Sequence, residues 1–200
     1  MIVRQLSVGA MANFVYLVAD EESREALVVD SGWETGPVER TAAELGAKVK
    51  YAVATHEHFD HVSTLEELAK DLGAEVVAHE KSPVRCDVRV ADGTELALGR
   101  SKVRVIHTPG HTEDSICLYD GSEVFTGDTL FVGTIGRFDL AKAGEMYRSL
   151  YEVILGLPAP TEVYPGHDYG GVPHRTLGEE KGSNPYLGCK DFKGFLSLFS

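Results

Sequence analysis

Apolar residues in the first quarter of the chain recur in short runs at strand spacing, and polar residues separate the runs. These runs predict three opening strands, at 2–8, 13–19 and 26–30. The polar segment 20–24 predicts a hairpin connection between the last two. Thr35 and Pro37 then begin a predicted helix that ends at Gly46, and a buried strand is expected at 49–54.

The pattern after residue 62 predicts a second helix and then a change to mostly β structure. Ser63 and Glu66 have the spacing of a capping box. The helix they would begin has an apolar face made of Leu65, Leu68, Ala69 and Leu72. Later strands are expected at 75–78, 95–98, 102–106, 115–119, 123–126 and 162–164. Further helices are expected at 146–155 and 175–181.

The composition fits a single globular domain spanning 1–200, with 43% hydrophobic and 25% charged residues. Acidic residues number 31 against 19 basic ones, so a nucleic-acid-binding surface is not expected. The three distant cysteines, Cys86, Cys117 and Cys189, suggest neither a disulfide framework nor a thiolate zinc site. No run resembles a signal peptide or a membrane span, so we expect a cytoplasmic protein that does not bind a membrane.

Three imidazoles and a carboxylate are concentrated directly after the predicted strand at 49–54. They are His56, His58, Asp60 and His61. Packing gives a loop no reason to hold so many imidazoles, whereas imidazole and carboxylate together are favoured ligands of divalent metal ions. Loops at strand ends are also where α/β sheets place their chemistry. We interpret this cluster as one half of a metal site.

Three later positions repeat the arrangement of a polar side chain just after a strand. They are His111, Asp128 and His167, and a glycine directly precedes each of them. Glycine allows sharp turns and close backbone approach, so these loops can converge on one point. A lone histidine or a Gly-Asp pair is usually a surface or turn residue. Taken together, the seven residues predict a metal site.

The order and spacing of these seven residues resemble the ligand set of the metallo-β-lactamase superfamily. The resemblance implies an α/β fold, the αββα sandwich, over nearly the whole chain. It also implies that His56, His58 and His111 hold one metal, that Asp60, His61 and His167 hold a second, and that Asp128 bridges them. Within the superfamily, the segments 125–131, 136–140 and 164–169 resemble both the glyoxalase II-like hydrolases and the persulfide dioxygenases.

Two features bear on the choice between these branches. Full-length glyoxalase II has a C-terminal helical domain that binds glutathione, for which the sequence leaves no room. This absence favours a short glyoxalase II-like enzyme or a dioxygenase. The usual Gly-Cys-Gly-Arg of the dioxygenases is here Thr134-Ile135-Gly136-Arg137, and the full ligand set fits two metals. On these grounds the sequence favours hydrolysis of a small thioester, with the dioxygenase as the alternative.

The two branches imply different cofactors. The hydrolase would use two divalent ions, zinc or else iron or manganese, to make hydroxide available at neutral pH. Asp60 and Asp128 are then the catalytic carboxylates, because each contacts the activated water or the metals. The dioxygenase would use one Fe(II) held by His56, His111 and Asp128, which is a facial triad of two histidines and one carboxylate.

Arg137 and Tyr169 are the predicted substrate contacts. Arg137 could bind a carboxylate of a small thiol-derived substrate through paired hydrogen bonds. The alternatives are that Arg137 pairs with Asp139 and that Tyr169 only packs. A non-catalytic metal-binding protein is the remaining class, and a homo-oligomer is left open.

Overall fold

Two six-stranded sheets organise residues 1–199, which are the residues this computed structural model describes. The first sheet follows chain order, and its strands pair antiparallel up to the third and parallel from there on. Helices lie in the first two connections between parallel strands, at residues 36–45 and 59–72, whereas residues 80–87 join the last parallel pair without a helix. The strands are β1 (Ile2–Val8), β2 (Asn13–Ala19), β3 (Glu25–Val29), β4 (Lys48–Val53), β5 (Glu75–His79) and β6 (Val88–Val90).

The second sheet has the order β14-β13-β10-β9-β8-β7, and only the β10–β13 pair is parallel. Its strands are β7 (Glu95–Leu98), β8 (Ser101–His107), β9 (Ile116–Tyr119), β10 (Glu123–Gly127), β13 (Glu162–Pro165) and β14 (Arg175–Thr176). Strands β11 (Leu130–Phe131) and β12 (Thr134–Ile135) form a separate small hairpin.

Helices cover the outer face of each sheet. They are α1 (Gly36–Leu45), α2 (Phe59–Val62), α3 (Leu65–Leu72), α4 (Ala143–Arg148), α5 (Leu177–Ser183) and α6 (Phe192–Leu196). Helix α4 continues through a π-helical turn at Ser149–Val153 and a 3-10 turn at Ile154–Gly156. Shorter 3-10 turns lie at Leu140–Lys142 and Ser197–Phe199.

Three apolar layers confirm the αββα sandwich. The central layer lies between the sheets and includes Tyr16, Leu98 and Phe125. Leu68 of α3 is fully buried against the outer face of the first sheet, and such burial of a leucine stabilises the fold by about 1.5–3 kcal/mol. On the other side, Met146 of α4 packs among the residues that cover the second sheet.

Some sequence predictions of local structure are wrong. The capping box at Ser63 and Glu66 does not form, because Ser63 ends α2 and its hydroxyl donates to the carbonyl of Gly32. Helix α3 begins at Leu65 without a side-chain cap. The histidine cluster is not wholly a loop, since its last two ligand candidates lie on α2. The pattern also missed the short strands β6, β11, β12 and β14, which have too few residues to show a period.

Within residues 1–199, no helix is long and apolar enough to cross a membrane.

Candidate metal centre

Asp30, at the end of β3, anchors the loop that follows β4. Its Oδ1 accepts from the backbone N–H of Thr55 at 2.8 Å, and its Oδ2 accepts from the Thr55 hydroxyl at 2.9 Å. The same Oδ2 accepts from Nδ1 of His61 at 2.8 Å. Asp30 is buried, and these three bonds satisfy its carboxylate. The neighbouring parallel strands therefore hold the start of the loop and one of its histidines in a fixed relation.

Asn13 fixes the carboxylate of Asp60. Its side-chain amide donates to the backbone carbonyl of Asp60 at 3.1 Å and to Oδ2 at 3.0 Å. Trp33 donates from its indole N–H to Oδ1 of Asn13 at 2.7 Å, which sets the orientation of the amide. The roles of Asn13 and Asp30 are not visible in the sequence, because their contacts join residues at least twenty positions apart and leave no local pattern.

Two glycines bring β10 and β13 close to this loop. Gly127 has a φ of +47°, and a Cβ there would lie 2.6 Å from the Thr55 hydroxyl oxygen. A Cβ on Gly166 would lie 2.5 Å from Oδ1 of Asp128. Only glycine allows both approaches. The predicted role of glycine in bringing the later loops together is thus visible at these two positions.

The first donor group contains His56, His58, His111 and Asp128, whose ligand atoms all lie within 4.8 Å of one another. Nδ1 of His58 lies 3.1 Å from Nε2 of His56 and 3.0 Å from Nε2 of His111. Nε2 of His111 is 3.5 Å from Oδ2 of Asp128. Both sheets contribute, since two members follow β4 and two come from the loops after β8 and β10.

The second donor group contains Asp60, His61 and His167, again with ligand atoms within 4.8 Å of one another. Nε2 of His61 lies 3.1 Å from Nε2 of His167. Oδ2 of Asp60 lies 3.5 Å from the former nitrogen and 3.4 Å from the latter. All three residues are buried.

The tautomers imposed by the surroundings show that a metal ion fits these donors. Nδ1 of His111 donates to the carbonyl of Arg137 at 2.6 Å, and Nδ1 of His167 donates to the carbonyl of Met11 at 2.9 Å. Each Nε2 that faces the site therefore carries a lone pair in the neutral ring. Nitrogen lone pairs this close to one another need a cation between them, and the second-nitrogen bonds are those that metal-ligating histidines make.

Asp128 lies between the two donor groups. Its Oδ1 is 3.3 Å from Nε2 of His61, and its Oδ2 is 3.5 Å from Nε2 of His167. Oδ1 is nevertheless buried and accepts no hydrogen bond. A buried carboxylate oxygen without a donor is unfavourable unless a cation neutralises it. This orphaned oxygen is a second indication that the site suits a metal.

The protein's own electrostatics prepare the donors for a cation. Burial lowers the pKa of His56 and that of His111, so both rings are neutral and able to coordinate at pH 7. Burial opposes ionisation of Asp128, but the neighbouring histidines outweigh it and hold the pKa of this carboxyl well below its usual range. Burial also opposes charging of His61, yet Asp30 and the other carboxylates raise its pKa to about 9. A metal ion would replace that proton.

Both predicted substrate contacts lie beside the donors. The carbonyl of Arg137 accepts a hydrogen bond from His111. The side chain of Arg137 is exposed and makes no hydrogen bond or ion pair among residues 1–199. Asp139 instead accepts from the backbone N–H of Ala141 at 2.9 Å, so the alternative Arg137–Asp139 pair does not form. Tyr169 stacks on His167, with ring centroids 4.7 Å apart and planes inclined by 6°.

A buried thiol lies in the core behind the donors. The sulfur of Cys117 is 3.3 Å from the hydroxyl of Thr108, which in turn is 3.1 Å from the hydroxyl of Thr129, the residue after Asp128. Burial raises the pKa of Cys117 to about 12. The thiol is therefore a packing group and takes no part in metal binding.

Comparison with known proteins agrees with this geometry. The model of the Metallo-beta-lactamase superfamily matches residues 8–85 and 80–167. The mitochondrial persulfide dioxygenase ETHE1 of Homo sapiens is 36% identical over 199 residues, covering 96% of this chain and 78% of that protein. The crystal structure of ETHE1 from Myxococcus xanthus has 36% identity and a TM-score of 0.90, covering 99% of this chain and 89% of the other.

A relative with a different activity is also similar. The cytoplasmic hydroxyacylglutathione hydrolase of Arabidopsis thaliana is 38% identical over 167 residues, covering 78% of this chain and 64% of that protein. The family match spans all seven donor residues, from His56 to His167. The chain belongs to the metallo-β-lactamase superfamily.

Proposed function

We propose that the protein is a mononuclear iron persulfide dioxygenase whose Fe(II) is held by His56, His111 and Asp128. The likeness to persulfide dioxygenases over 96% of the chain carries this proposal. The first donor group supports it, because two imidazoles and a carboxylate are the ligands of iron enzymes that keep coordination positions open. The proposal reverses the preference for the hydrolase, which was drawn from the Thr134-Ile135-Gly136-Arg137 segment and from the complete ligand set.

The proposed reaction balances as R–S–SH + O₂ + H₂O → R–SH + H₂SO₃. The S–S bond breaks, the outer sulfur takes up three oxygen atoms, and the inner sulfur leaves as a thiol. The two sulfurs together lose four electrons, which dioxygen accepts. A bound Fe(II) would supply the open positions at which oxygen and the persulfide sulfur meet.

The chain's own residues position the ligands and the substrate. The carbonyl of Arg137 fixes the neutral tautomer of His111, while its free guanidinium can bind a substrate carboxylate through paired hydrogen bonds. Burial raises the pKa of Tyr169, and the charges of Asp128 and Asp60 act in the same direction. Tyr169 thus keeps its phenolic proton and can donate to the substrate.

Two exposed apolar residues adjoin donor residues along the backbone and suit a small organic substrate. Phe59 is 62% exposed and directly follows His58, and Met11 is 42% exposed while its carbonyl binds His167. Contiguous exposed apolar patches are typical of binding sites, and we propose that these two side chains contribute to one. They would exclude water from the persulfide and contact its carbon skeleton.

A two-metal thioester hydrolase is the second candidate, and the compact second donor group favours it. Asp60, His61 and His167 converge as closely as the first group, and Asp128 contacts both. Two divalent ions, zinc or else iron or manganese, would activate water and polarise a thioester carbonyl. The likeness to hydroxyacylglutathione hydrolase adds support over 78% of the chain.

One set of measurements separates the two candidates. Elemental analysis gives the metal content per chain. Oxygen uptake is measured with glutathione persulfide as substrate, and thiol release is measured with S-lactoylglutathione. We expect one iron and oxygen uptake that the His56→Ala variant lacks. Two metals with thiol release and no oxygen uptake would overturn the dioxygenase in favour of the hydrolase. Activity on neither substrate would contradict both.

The cellular setting remains a prediction. A cytoplasmic location, a small thiol-derived substrate and the absence of nucleic-acid or membrane partners follow from the sequence. The -12 formal charge supports the exclusion of nucleic acid.

A further inference from the structure

The β11–β12 hairpin and the two residues after it support two of the three proposed iron ligands. Gly136 packs so closely behind Asp128 that a Cβ would overlap the Asp128 carbonyl oxygen. The backbone N–H of Gly136 also donates to the carbonyl of Thr129 at 3.3 Å. One residue later, the carbonyl of Arg137 accepts from His111 at 2.6 Å. A shift of this segment would therefore move Asp128 and His111 together.

Glu180 of α5 binds the turn of this hairpin through a backbone N–H. Its side chain is 0% exposed, and its Oε2 accepts from the backbone N–H of Gly133 at 2.9 Å. The same oxygen accepts from the side-chain amide of Asn184 at 2.9 Å, and that amide also donates to the carbonyl of Thr134 at 3.1 Å. Nη1 of Arg175 lies 3.4 Å from Oε1. Two buried polar side chains thus hold Gly133, in the turn of the hairpin, and Thr134, the first residue of β12.

Helix α5 does not itself require Glu180. The helix begins with a complete capping box between Thr176 and Glu179, and Leu177 anchors it in the core. A carboxylate buried to this degree is unfavourable unless its bonds compensate for lost hydration. The hydrogen bonds, both to Oε2, go to the hairpin and to Asn184, whereas Oε1 accepts no hydrogen bond and is balanced by the ion pair with Arg175. Glu180 belongs to neither donor group.

We infer that Glu180 and Asn184 are positioning residues of the metal centre, acting through the β11–β12 hairpin on Asp128 and His111. The inference rests on the proposed function only for the identity of the iron ligands. It does not depend on which substrate is turned over. Neighbours of metal ligands typically change metal affinity by about 10- to 100-fold when they are removed.

Cobalt binding tests the inference without any activity assay. Co(II) affinity is measured by competition with a chromophoric chelator, and the visible absorption of bound Co(II) reports ligand geometry. We expect Glu180→Ala to weaken affinity by about 10- to 100-fold and to change the spectrum. Glu180→Gln should recover much of both, because one amide oxygen can still accept the two N–H groups. In the metal-free protein, the amide of Gly136 should exchange faster in Glu180→Ala than in the wild type.

Glu179→Ala is the matched control on the same helix. It removes the half of the capping box that the Glu179 side chain supplies and should lower the Tm, yet leave the affinity and the cobalt spectrum unchanged. If Glu180→Ala does not fold, Asn184→Ala decides, since it removes the amide link to Thr134 and Glu180. Outside the hairpin it removes only the Oδ1 acceptor of the Tyr186 backbone N–H. Wild-type affinity and spectrum in the folded Glu180 or Asn184 variant would overturn the inference. So would an equal loss of affinity in Glu179→Ala. A wild type that binds no cobalt would overturn the iron site and the inference together.

Discussion

The two donor groups have similar ligand types but differ in how the protein encloses them. In the first group, His58 is exposed, and the carboxylate of Asp128 and the ring of His111 remain 10% and 9% exposed. In the second group, His61 and His167 are only 1% and 2% exposed. Protein groups already bind all three residues of this group. Asp30 binds Nδ1 of His61, the carbonyl of Met11 binds Nδ1 of His167, and Asn13 binds Oδ2 of Asp60. The exposed His58 makes the first group the more open one, whereas all three residues of the second, more closed group are buried.

This difference explains how one ligand set can serve two chemistries. A metal in the open group can exchange solvent for substrate, as a mononuclear oxygenase requires. The closed group can hold a second ion or can serve as a fixed polar wall without one. Asp128 belongs to both settings, because its Oδ2 lies 3.5 Å from Nε2 of His111 in the first group and its Oδ1 lies 3.3 Å from Nε2 of His61 in the second.

Substitution of Asp128 should have the largest effect, since it breaks both groups at once. We expect Asp128→Ala to weaken metal binding by about 100-fold or more, because even indirect neighbours account for about 10- to 100-fold. Elemental analysis after dialysis against a chelator measures this. Asp139→Ala removes a nearby exposed carboxylate and should retain wild-type metal. Equal metal content in both variants would show that Asp128 does not bind it.

Substitution of Arg137 should affect only substrate binding at the open group. We expect Arg137→Ala to raise the KM for glutathione persulfide about tenfold with little change in kcat, because a lost carboxylate contact of about 1.4 kcal/mol weakens binding by that factor. Oxygen uptake against substrate concentration gives both constants. Arg148→Ala, which removes another exposed cation, serves as the control. An unchanged KM would exclude Arg137 from substrate binding.

Substitution of Asp60 should distinguish the roles of the two donor groups, with a smaller effect on iron binding than substitution of Asp128. In a mononuclear dioxygenase, Asp60→Asn should change the iron affinity by less than about threefold, because Asp60 lies outside the triad. In a two-metal hydrolase the same change removes a ligand charge and should abolish thiol release. Iron content and both activities are measured on one preparation. Loss of iron from this variant would show that iron binding depends on both donor groups, which contradicts this prediction.

The smallest expected effect lies at the opposite end of β10 from Asp128. Burial raises the pKa of Glu123 to about 7, and its contact with Asp120 adds to the shift. The folded state thus holds this proton more tightly than the unfolded state, so stability is lost as pH rises from about 4.5 to 7. Glu123→Gln should remove this slope. Urea unfolding of both proteins at pH 5 and pH 8 measures it, and parallel pH dependences would contradict the assignment.

How far the sequence could predict the site depends on the range of each interaction. His56, His58 and Asp60 were found because they cluster within a few positions after a strand. Asn13 could not be found in this way, since it meets Asp60 across 47 positions. The fold was predicted well where periodic runs were long. The prediction of a capping box failed at Ser63. Its hydroxyl donates to the carbonyl of Gly32, which is 31 positions away, instead of capping the following helix.

The state of Cys117 has a consequence for sulfur chemistry in the proposed reaction. Thiolates attack persulfides and take over the outer sulfur, and a protein thiolate near the site would divert it. With a pKa of about 12, only about 10⁻⁵ of the Cys117 sulfur is thiolate at pH 7, and that fraction is sealed in the core. Thiol–persulfide exchange with Cys117 is thereby suppressed. In the proposed reaction, the outer sulfur would then stay on its small-molecule carrier until oxygen reaches it.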